Sequence, residues 1–415
     1  MRVCRRSAPA RPLLASLLLI LFTAAAPAAE SPQPLTPKET AELRATMHEV
    51  FDALAQLLPA SLDDARFASE SQRPKIDGWL HTLEAASAQV EKHTGARDAG
   101  FGEISRSLAR DVAETRRRFE RGHYLEAQFY ISELTSNCVA CHSRLPKARD
   151  YPLAKNLTDR PEVQALEPAA RGRLLVATRQ FDAALGLYEK RFADPAARPT
   201  ELDLDGELLS YLIVCVRVQR DFARPRAALA KLAARPDAPR YLALDLRAWQ
   251  AQLDELAAAP KGAPTLTRAA ELVARGAALS AFPADRVSLV YDLAASSELM
   301  RLVALRQAER EELAEAYFRL GAIAARVERG AWVSEIDQDL ETSIRLAPGG
   351  PYAETAYATL EEYTVEAYGG TEGADVPNDV QARLNELRAL LDGAHGAKPS
   401  GGKAHEGKAR EGTAK

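Results

Sequence analysis

Five consecutive residues have a spacing that points to chemistry: Cys138, Val139, Ala140, Cys141 and His142. Two thiols three positions apart, followed at once by an imidazole, form the attachment signature of a c-type haem. Positions three and four apart share one face of a helix, so all three groups can reach one macrocycle. The pentapeptide predicts that Cys138 and Cys141 hold one covalent haem c, and that His142 is the proximal ligand of its iron.

Three other interpretations of the pentapeptide stay open: a thioredoxin-like redox pair, half of a zinc site, or two ordinary helix cysteines. A thioredoxin-like pair is expected near a βαβ pattern, and no such pattern precedes the pair. A structural zinc site needs four ligands, and no second pair of Cys or His residues completes a tetrad. Haem attachment is therefore the leading interpretation.

The first 29 residues predict a secretory signal peptide and a periplasmic location. A basic start is followed by an apolar stretch over residues 13–22 and by a small-residue cleavage site at Ala26-Pro27-Ala28. The apolar stretch is too short for a permanent transmembrane helix. We therefore expect a mature chain without a membrane span.

Charge argues against one class of partner. The chain has 54 Lys and Arg residues against 58 Asp and Glu residues, a net charge of −4. The four arginines of the signal peptide are lost on cleavage, so the mature chain is more acidic still. Proteins that bind nucleic acid carry an excess of basic groups for the phosphates. No nucleic-acid partner is expected.

Four amphipathic helices are predicted around the pentapeptide. The first begins at Thr36-Pro37-Lys38-Glu39, which combines a hydroxyl N-cap, proline at the first helical position and glutamate three residues after the cap. Apolar residues at intervals of three and four predict the other segments at about 74–93, 99–120 and 123–143. Four such helices with short connections predict a four-helix bundle over residues 37–147, with the cofactor between facing helices.

Residues 37–145 resemble the cytochrome c prime family and its low-spin relatives, which are antiparallel four-helix bundles with the same pentapeptide near the end of the last helix. The resemblance implies that a methionine early in the first helix is the sixth iron ligand, and Met47 stands in that region. Such ligation raises the reduction potential and suits electron transfer. The other interpretation is that Met47 only fills the apolar face of its helix.

The chain departs from this family directly after the haem histidine. Family members commonly have an aromatic residue three places after it and then a basic residue. Leu145 and Pro146 occupy those places here. Arg144 or Lys147 is the substitute for the basic residue that shields the proximal face in the family.

Residues 155–392 are predicted to form a tetratricopeptide-like array of α-helical hairpins, because the chain shows weak self-similarity with a period in the thirties. Two stretches resemble tetratricopeptide repeats. Their matching residues are Phe181, Ala184 and Tyr188 in one stretch, and Tyr317, Leu320, Gly321, Leu340, Ser343 and Pro348 in the other. Stacked repeats present a concave surface to protein partners. An irregular helical domain that only packs is the other interpretation.

Two smaller expectations concern the rest of this half. Cys215 lies in the apolar run 212–216 without a disulfide partner, so we expect a buried, inert thiol. Residues 393–415 have no large apolar side chain and are predicted to be disordered. No catalytic constellation stands out, so the protein is not expected to be an enzyme.

These observations predict an all-α periplasmic monohaem cytochrome that transfers electrons. The haem bundle would serve an unidentified redox partner protein, which docks on the helical repeats. One alternative is a haem protein that binds or senses a small gas such as nitric oxide at an empty sixth position. Another is a repeat-based assembly scaffold with an accessory haem. The resemblance also implies a homodimer through the first two helices of the bundle.

Overall fold

The computed structural model describes most of the chain between Thr36 and Gly396. The described ranges are 36–61, 63–94, 99–144, 158–204, 206–281, 285–305, 308–327, 335–370, 373–374 and 376–396. The predicted signal peptide, residues 1–29, lies outside them. The described chain is all-α apart from two strands of two residues each, Gly369–Gly370 and Gly373–Ala374, which pair antiparallel. None of the described helices combines the length and the apolar character that crossing a membrane requires.

The predicted helices of the first region are present. They are α1 (Pro37–Ser61), a short α2 (Asp64–Phe67), α3 (Arg73–Thr94), α4 (Ala99–Glu120) and α5 (Tyr124–His142). The predicted capping box starts α1: the backbone N–H of Glu39 donates to Thr36 Oγ1 at 3.2 Å, and the backbone N–H of Thr36 donates to Glu39 Oε2 at 2.8 Å. The turn before α5 contains Gly122 at φ +81°, a conformation that suits glycine.

The four long helices of this region pack in succession. Helix α1 contacts α3, α3 contacts α4, α4 contacts α5, and α5 contacts α1. Their facing sides, together with Phe67 of α2, form one apolar cluster that includes Val50, Leu54, Leu57, Ile76, Leu80, Leu83, Leu108, Val112, Phe119, Ile131, Leu134 and Cys138. The first thiol of the pentapeptide therefore faces the interior of this region.

The second region is also helical. Its helices are α6 (Pro161–Gln164), α7 (Pro168–Ala177), α8 (Phe181–Ala193), α9 (Pro199–Leu204), α10 (Glu207–Leu212), a π-helix (Ile213–Gln219), α11 (Ala223–Ala233), α12 (Arg240–Ala258), α13 (Leu266–Leu279), α14 (Leu289–Leu305), α15 (Arg310–Val327), α16 (Glu335–Leu346), α17 (Ala353–Ala367) and α18 (Asn378–Gly396). Consecutive helices contact each other as pairs, namely α7 with α8, α11 with α12, α13 with α14 and α15 with α16.

Two of these pairs approach closely at a glycine. A Cβ atom on Gly172 of α7 would lie 2.6 Å from Cζ of Tyr188 on α8, and one on Gly321 of α15 would lie 2.7 Å from Cγ of Leu340 on α16. Ordinary carbon contacts are 3.5–4.0 Å. Each pair therefore packs at its observed separation because the position has no side chain.

Cys215 is buried, as predicted. It lies in the π-helix, within the largest apolar cluster of the second region. Burial is the main cause that raises the pKa of its thiol to about 12. The group is therefore protonated at neutral pH.

The end of the second region differs from the prediction. Helix α18 continues to Gly396, so residues 393–396 are helical rather than part of a disordered tail. Leu384, Leu387 and Leu391 bury the apolar face of α18, and His395 Nδ1 lies 3.5 Å from Glu354 Oε1 on α17. This packing on α17 extends the helix by one turn. Residues 397–415 lie outside the described ranges.

The two regions are in contact through several described helices. Helix α5 packs on α7, α4 packs on α16, and α1 packs on α6. Ala177, the last residue of α7, belongs to the same apolar cluster as Cys138. The end of α5 that carries the pentapeptide therefore lies against the second region.

Candidate haem site

The two thiols of the pentapeptide lie in the last turns of α5. Cys138 is buried and its Sγ donates to the carbonyl oxygen of Leu134 at 3.5 Å, whereas Cys141 is half-buried. Neither forms a disulfide. Burial, with a smaller contribution from Cys141, raises the pKa of the Cys138 thiol to about 12. Reactive thiols of the thioredoxin type have a lowered pKa, so this environment does not favour that interpretation.

The fold adds no further ligands to the two cysteines. Across the described ranges, no group of three or more His, Cys, Asp or Glu side chains converges so that it could hold a metal ion. The zinc interpretation therefore gains no second ligand pair from the described residues.

The imidazole of His142 is oriented by the second region. Its Nδ1 lies within hydrogen-bond distance of the carbonyl oxygen of Ala177. A carbonyl oxygen only accepts, so Nδ1 carries the proton and Nε2 keeps its lone pair. Burial is the main cause that lowers the pKa of His142 to about 4, while the bond to Ala177 opposes this shift and the charge of Arg179 adds to it. The imidazole is therefore neutral at pH 7.

This arrangement is the one that metal-binding histidines show in proteins. One ring nitrogen binds the metal, and the other donates to a carbonyl or a carboxylate that fixes the ring. Sequence reasoning missed Ala177, because a main-chain carbonyl 35 positions away leaves no mark on the sequence. Arg179, whose charge acts on the same imidazole, was missed because it is also far from His142 in the sequence.

Helix α1 reaches the pentapeptide through an aromatic residue. The ring of Phe51 lies beside the imidazole of His142, with 6.1 Å between centroids and 58° between planes. Met47 lies one turn earlier on α1, is half-buried, and packs against the cluster of Phe51 and Ala55. The candidate sixth ligand is thus on the helix face that meets the pentapeptide. Phe51 shares that face and could have been singled out by its spacing from Met47.

The pentapeptide and its neighbours, residues 137–144, are called the pentapeptide segment below. Three further side chains of this segment bond to the second region. Arg144 donates to both carboxylate oxygens of Asp339 on α16, at 2.6 and 2.7 Å, and both residues are buried. The remaining bonds run from Arg217 of the π-helix to Ser143 Oγ and from Gln338 of α16 to Asn137 Oδ1, each at 3.2 Å.

The structure thereby decides where one substitute for the basic residue of the resembled family lies. Arg144 is paired with Asp339 in the interior. Lys147, the other substitute, lies outside the described ranges, as do Leu145 and Pro146.

The carboxyl group of Asp111 contacts Asn137, the residue directly before the pentapeptide. Asp111 of α4 accepts from Asn137 Nδ2 at 2.8 Å and lines a cavity of about 470 Å³ that Asp337 and Arg383 also line. Burial is the main cause that raises the pKa of Asp111 to about 6; Asn137 opposes the shift and the charge of Asp337 adds to it. Asp111 therefore titrates near pH 6.

These residues fit a covalently bound haem. The two thiols do not form a disulfide, the imidazole presents Nε2, and the buried thiol of Cys138 stands in an apolar cluster between α1 and α5. A c-type haem needs these three groups on one helix end and apolar surroundings for the macrocycle. The donor set of Cys138, Cys141 and His142 therefore matches the group that the pentapeptide implies.

Comparison of the chain with models of protein families, with curated proteins and with solved structures found no match.

Proposed function

We propose that this protein is a periplasmic c-type cytochrome that carries one covalent haem c and transfers single electrons. The observation that supports this most strongly is the hydrogen bond between His142 Nδ1 and the carbonyl of Ala177, which leaves Nε2 as the ligand nitrogen. Haem c, when bound, supplies a one-electron redox centre. Cys138 and Cys141 hold it, and His142 binds its iron. No residue has to act as an acid, a base or a nucleophile.

The proposal includes a four-helix bundle over residues 37–147, with the architecture of the cytochrome c prime family for residues 37–145. Its support is the succession of contacts from α1 to α3, α4, α5 and back to α1, with the pentapeptide at the end of the last helix. A four-helix bundle places a cofactor between facing helices. The burial of Cys138 on the side of α5 that faces α1 is consistent with that location.

For residues 155–392 we propose a tetratricopeptide-like array that docks a redox partner protein. The helix pairs and the glycine contacts at Gly172 and Gly321 support stacked hairpins. Gly321 belongs to the stretch that resembles a repeat in the sequence, and Gly172 contacts Tyr188, which belongs to the other. A concave surface of stacked hairpins would be the place for the partner.

We propose export through the signal peptide at residues 1–29. A homodimer through the first two long helices stays an expectation from the resemblance. The second region already covers part of α1, because Arg160 donates to Asp52 at 2.8 Å and Leu58 packs with Val163 and Leu166. A dimer would have to use the rest of that surface.

Met47 as the sixth ligand would raise the reduction potential and suit electron transfer. One observation favours a second candidate, a gas-binding haem protein with five-coordinate iron. The residue of α1 beside His142 is the apolar Phe51, and Met47 packs on the cluster that contains it. The high-spin members of the resembled family have an apolar residue at the distal face, and Phe51 would take that place if the haem lay between its ring and His142.

Visible absorption spectra of the full chain, made in a host with haem-attachment machinery, test both candidates. We expect a sharp, split spectrum after reduction with dithionite, which indicates low-spin six-coordinate iron. Met47→Ala should convert this spectrum to a broad high-spin one. Met300→Ala is the matched control, because Met300 is buried in α14 of the second region.

A broad high-spin spectrum of the wild-type protein that Met47→Ala leaves unchanged would favour gas binding. The absence of covalent haem from the wild-type protein would contradict both candidates.

A further inference from the structure

We propose that Asp339, far from the pentapeptide in sequence, is a positioning residue for the haem histidine and acts through Arg144. The proposal rests on the proposed function and adds a role for the second region that the pentapeptide does not indicate. Arg144 is two residues after His142, and the pair joins residues 195 positions apart.

The geometry of the pair between Arg144 and Asp339 fixes the position of both side chains. The two terminal guanidinium nitrogens, Nη1 and Nη2, donate at 2.6 and 2.7 Å to separate oxygens of the carboxylate. The exposed fractions are 8% for Arg144 and 1% for Asp339. Bidentate pairs of this kind fix the direction as well as the distance between two side chains. Removing one partner leaves an uncompensated charge in the interior.

The pair fixes the chain where the helix ends. Helix α5 ends at His142, and Ser143 is its C-cap. Arg144 follows the C-cap, and its backbone N–H donates to the carbonyl oxygen of Cys141 at 3.3 Å. Its side-chain bonds to Asp339 therefore act directly on the end of the helix that carries the histidine. Arg217 donates to Ser143 Oγ and so makes a second bond to this end of the helix. Arg217 belongs to a π-helix, a rare element that is frequent at functional sites.

The N-terminal end of the pentapeptide segment also bonds to α16 of the second region. Gln338, next to Asp339 on α16, donates to Asn137, which precedes Cys138. The bonds from α16 therefore lie on both sides of the pentapeptide. With Ala177 on the imidazole itself, the orientation of His142 depends on groups of the second region.

The loss of the Asp339 carboxylate should displace His142. Without that carboxylate Arg144 would lose both charge-assisted bonds to α16, and the chain from Ser143 to Arg144 would shift together with the end of α5. The hydrogen bond from His142 to Ala177 would then lengthen, and the ligand field of the iron would change. A residue that only stabilises the fold would leave that field as it is.

The test compares three full-length holoproteins: wild type, Asp339→Asn and Asp203→Asn. Asp203 is the matched control, because it is buried and accepts from Arg286 at 2.6 Å, yet its pair lies within the second region. The readouts are the electron paramagnetic resonance g values of the oxidised haem, the reduction potential and the melting temperature.

We expect lower melting temperatures in both variants, with shifted g values and a shifted potential in Asp339→Asn alone. Wild-type g values and potential in Asp339→Asn would overturn the positioning role, and so would equal shifts in both variants. Arg144→Lys keeps the charge but loses the bidentate geometry. Arg144→Lys replaces Asp339→Asn in the comparison if Asp339→Asn does not accumulate as folded protein. Unchanged g values in Arg144→Lys would also overturn the proposal. A wild-type protein without covalent haem would overturn the proposed function itself, and this role with it.

Discussion

The two helical regions contribute different groups to the candidate haem site. Residues 37–144 contain the thiols, the imidazole and the candidate sixth ligand. Residues 158–396 contain several groups that bond to the end of α5, among them Ala177 and Asp339. In the proposed cytochrome the first region would provide the covalent and coordinating chemistry, and the second would hold the orientation of the imidazole. We therefore expect that a substitution in the second region can alter the haem site without touching a ligand.

The largest effect is expected in the first region, at the two thiols that we propose attach the haem. Cys138→Ala together with Cys141→Ala should abolish covalent haem, because no other cysteine lies in the pentapeptide. Cys215→Ala should retain it, since this buried thiol belongs to the second region. Haem staining after denaturing electrophoresis measures the difference. Haem that stays on the double variant would show that attachment lies elsewhere.

The second region should respond most strongly at its close helix contacts. Gly172→Ala and Gly321→Ala each place a methyl group inside the radius of a neighbouring side chain, so each should destabilise the protein by about 1 to 3 kcal/mol. Gly186→Ala in α8 is the control, because nothing lies within 4 Å of its Cβ position. Alanine there should be neutral or stabilising by up to about 1 kcal/mol.

Urea unfolding curves give the free energy of unfolding of each of the three variants. Gly172 is in the helix that ends at Ala177, so Gly172→Ala should also change the haem spectrum. Equal stability of Gly172→Ala and Gly186→Ala would contradict the close contact of α7 with α8.

Between the regions, Asp111 should make stability depend on pH. Its pKa is raised to about 6 in the folded protein from 3.8. The folded state therefore binds the proton more tightly, and the resulting stability is present below about pH 4 and lost as the pH rises through 6. Asp111→Asn should remove this loss and gain on the order of 2 kcal/mol at pH 7.

Urea unfolding of both proteins at pH 4 and pH 7 checks this expectation. Asparagine keeps an oxygen that can accept from Asn137, so the contact is retained. A variant less stable than wild type at pH 7 would contradict the cost assigned to the buried carboxylate.

The smallest effect is expected at the start of α1. Thr36→Ala removes the hydroxyl that caps Glu39 N and should cost about 1 kcal/mol. Thr82→Ala, at an exposed position within α3, should change stability by a few tenths of that value. Thermal unfolding distinguishes the two, and the haem spectrum should be unchanged in both. Equal melting temperatures would mean that this helix end does not contribute.

The sequence predicts the helices of the first region well because their signals are local. The capping box at Thr36 and Glu39 and the apolar periodicity involve residues three or four positions apart. These features are confirmed, as are the all-α class and the burial of Cys215. The roles of Cys138, Cys141, His142 and Met47 stay predictions.

The remaining features depend on contacts between distant residues. The bond from His142 to Ala177 and the pair of Arg144 with Asp339 join positions 35 and 195 apart. No local pattern marks either partner. The extension of α18 to Gly396 has the same cause, since it depends on packing against α17. Sequence periodicity shows where a helix can form, and tertiary contacts decide where it ends.

Intact mass spectrometry of the exported wild-type chain under denaturing conditions, followed by digestion, is the deciding measurement. We predict a mass greater by one haem per chain, and a haem-bearing peptide that contains both Cys138 and Cys141. A chain with the mass of the unmodified mature sequence, produced in a host that attaches haem to a known c-type cytochrome, would contradict the proposal that this protein is a cytochrome.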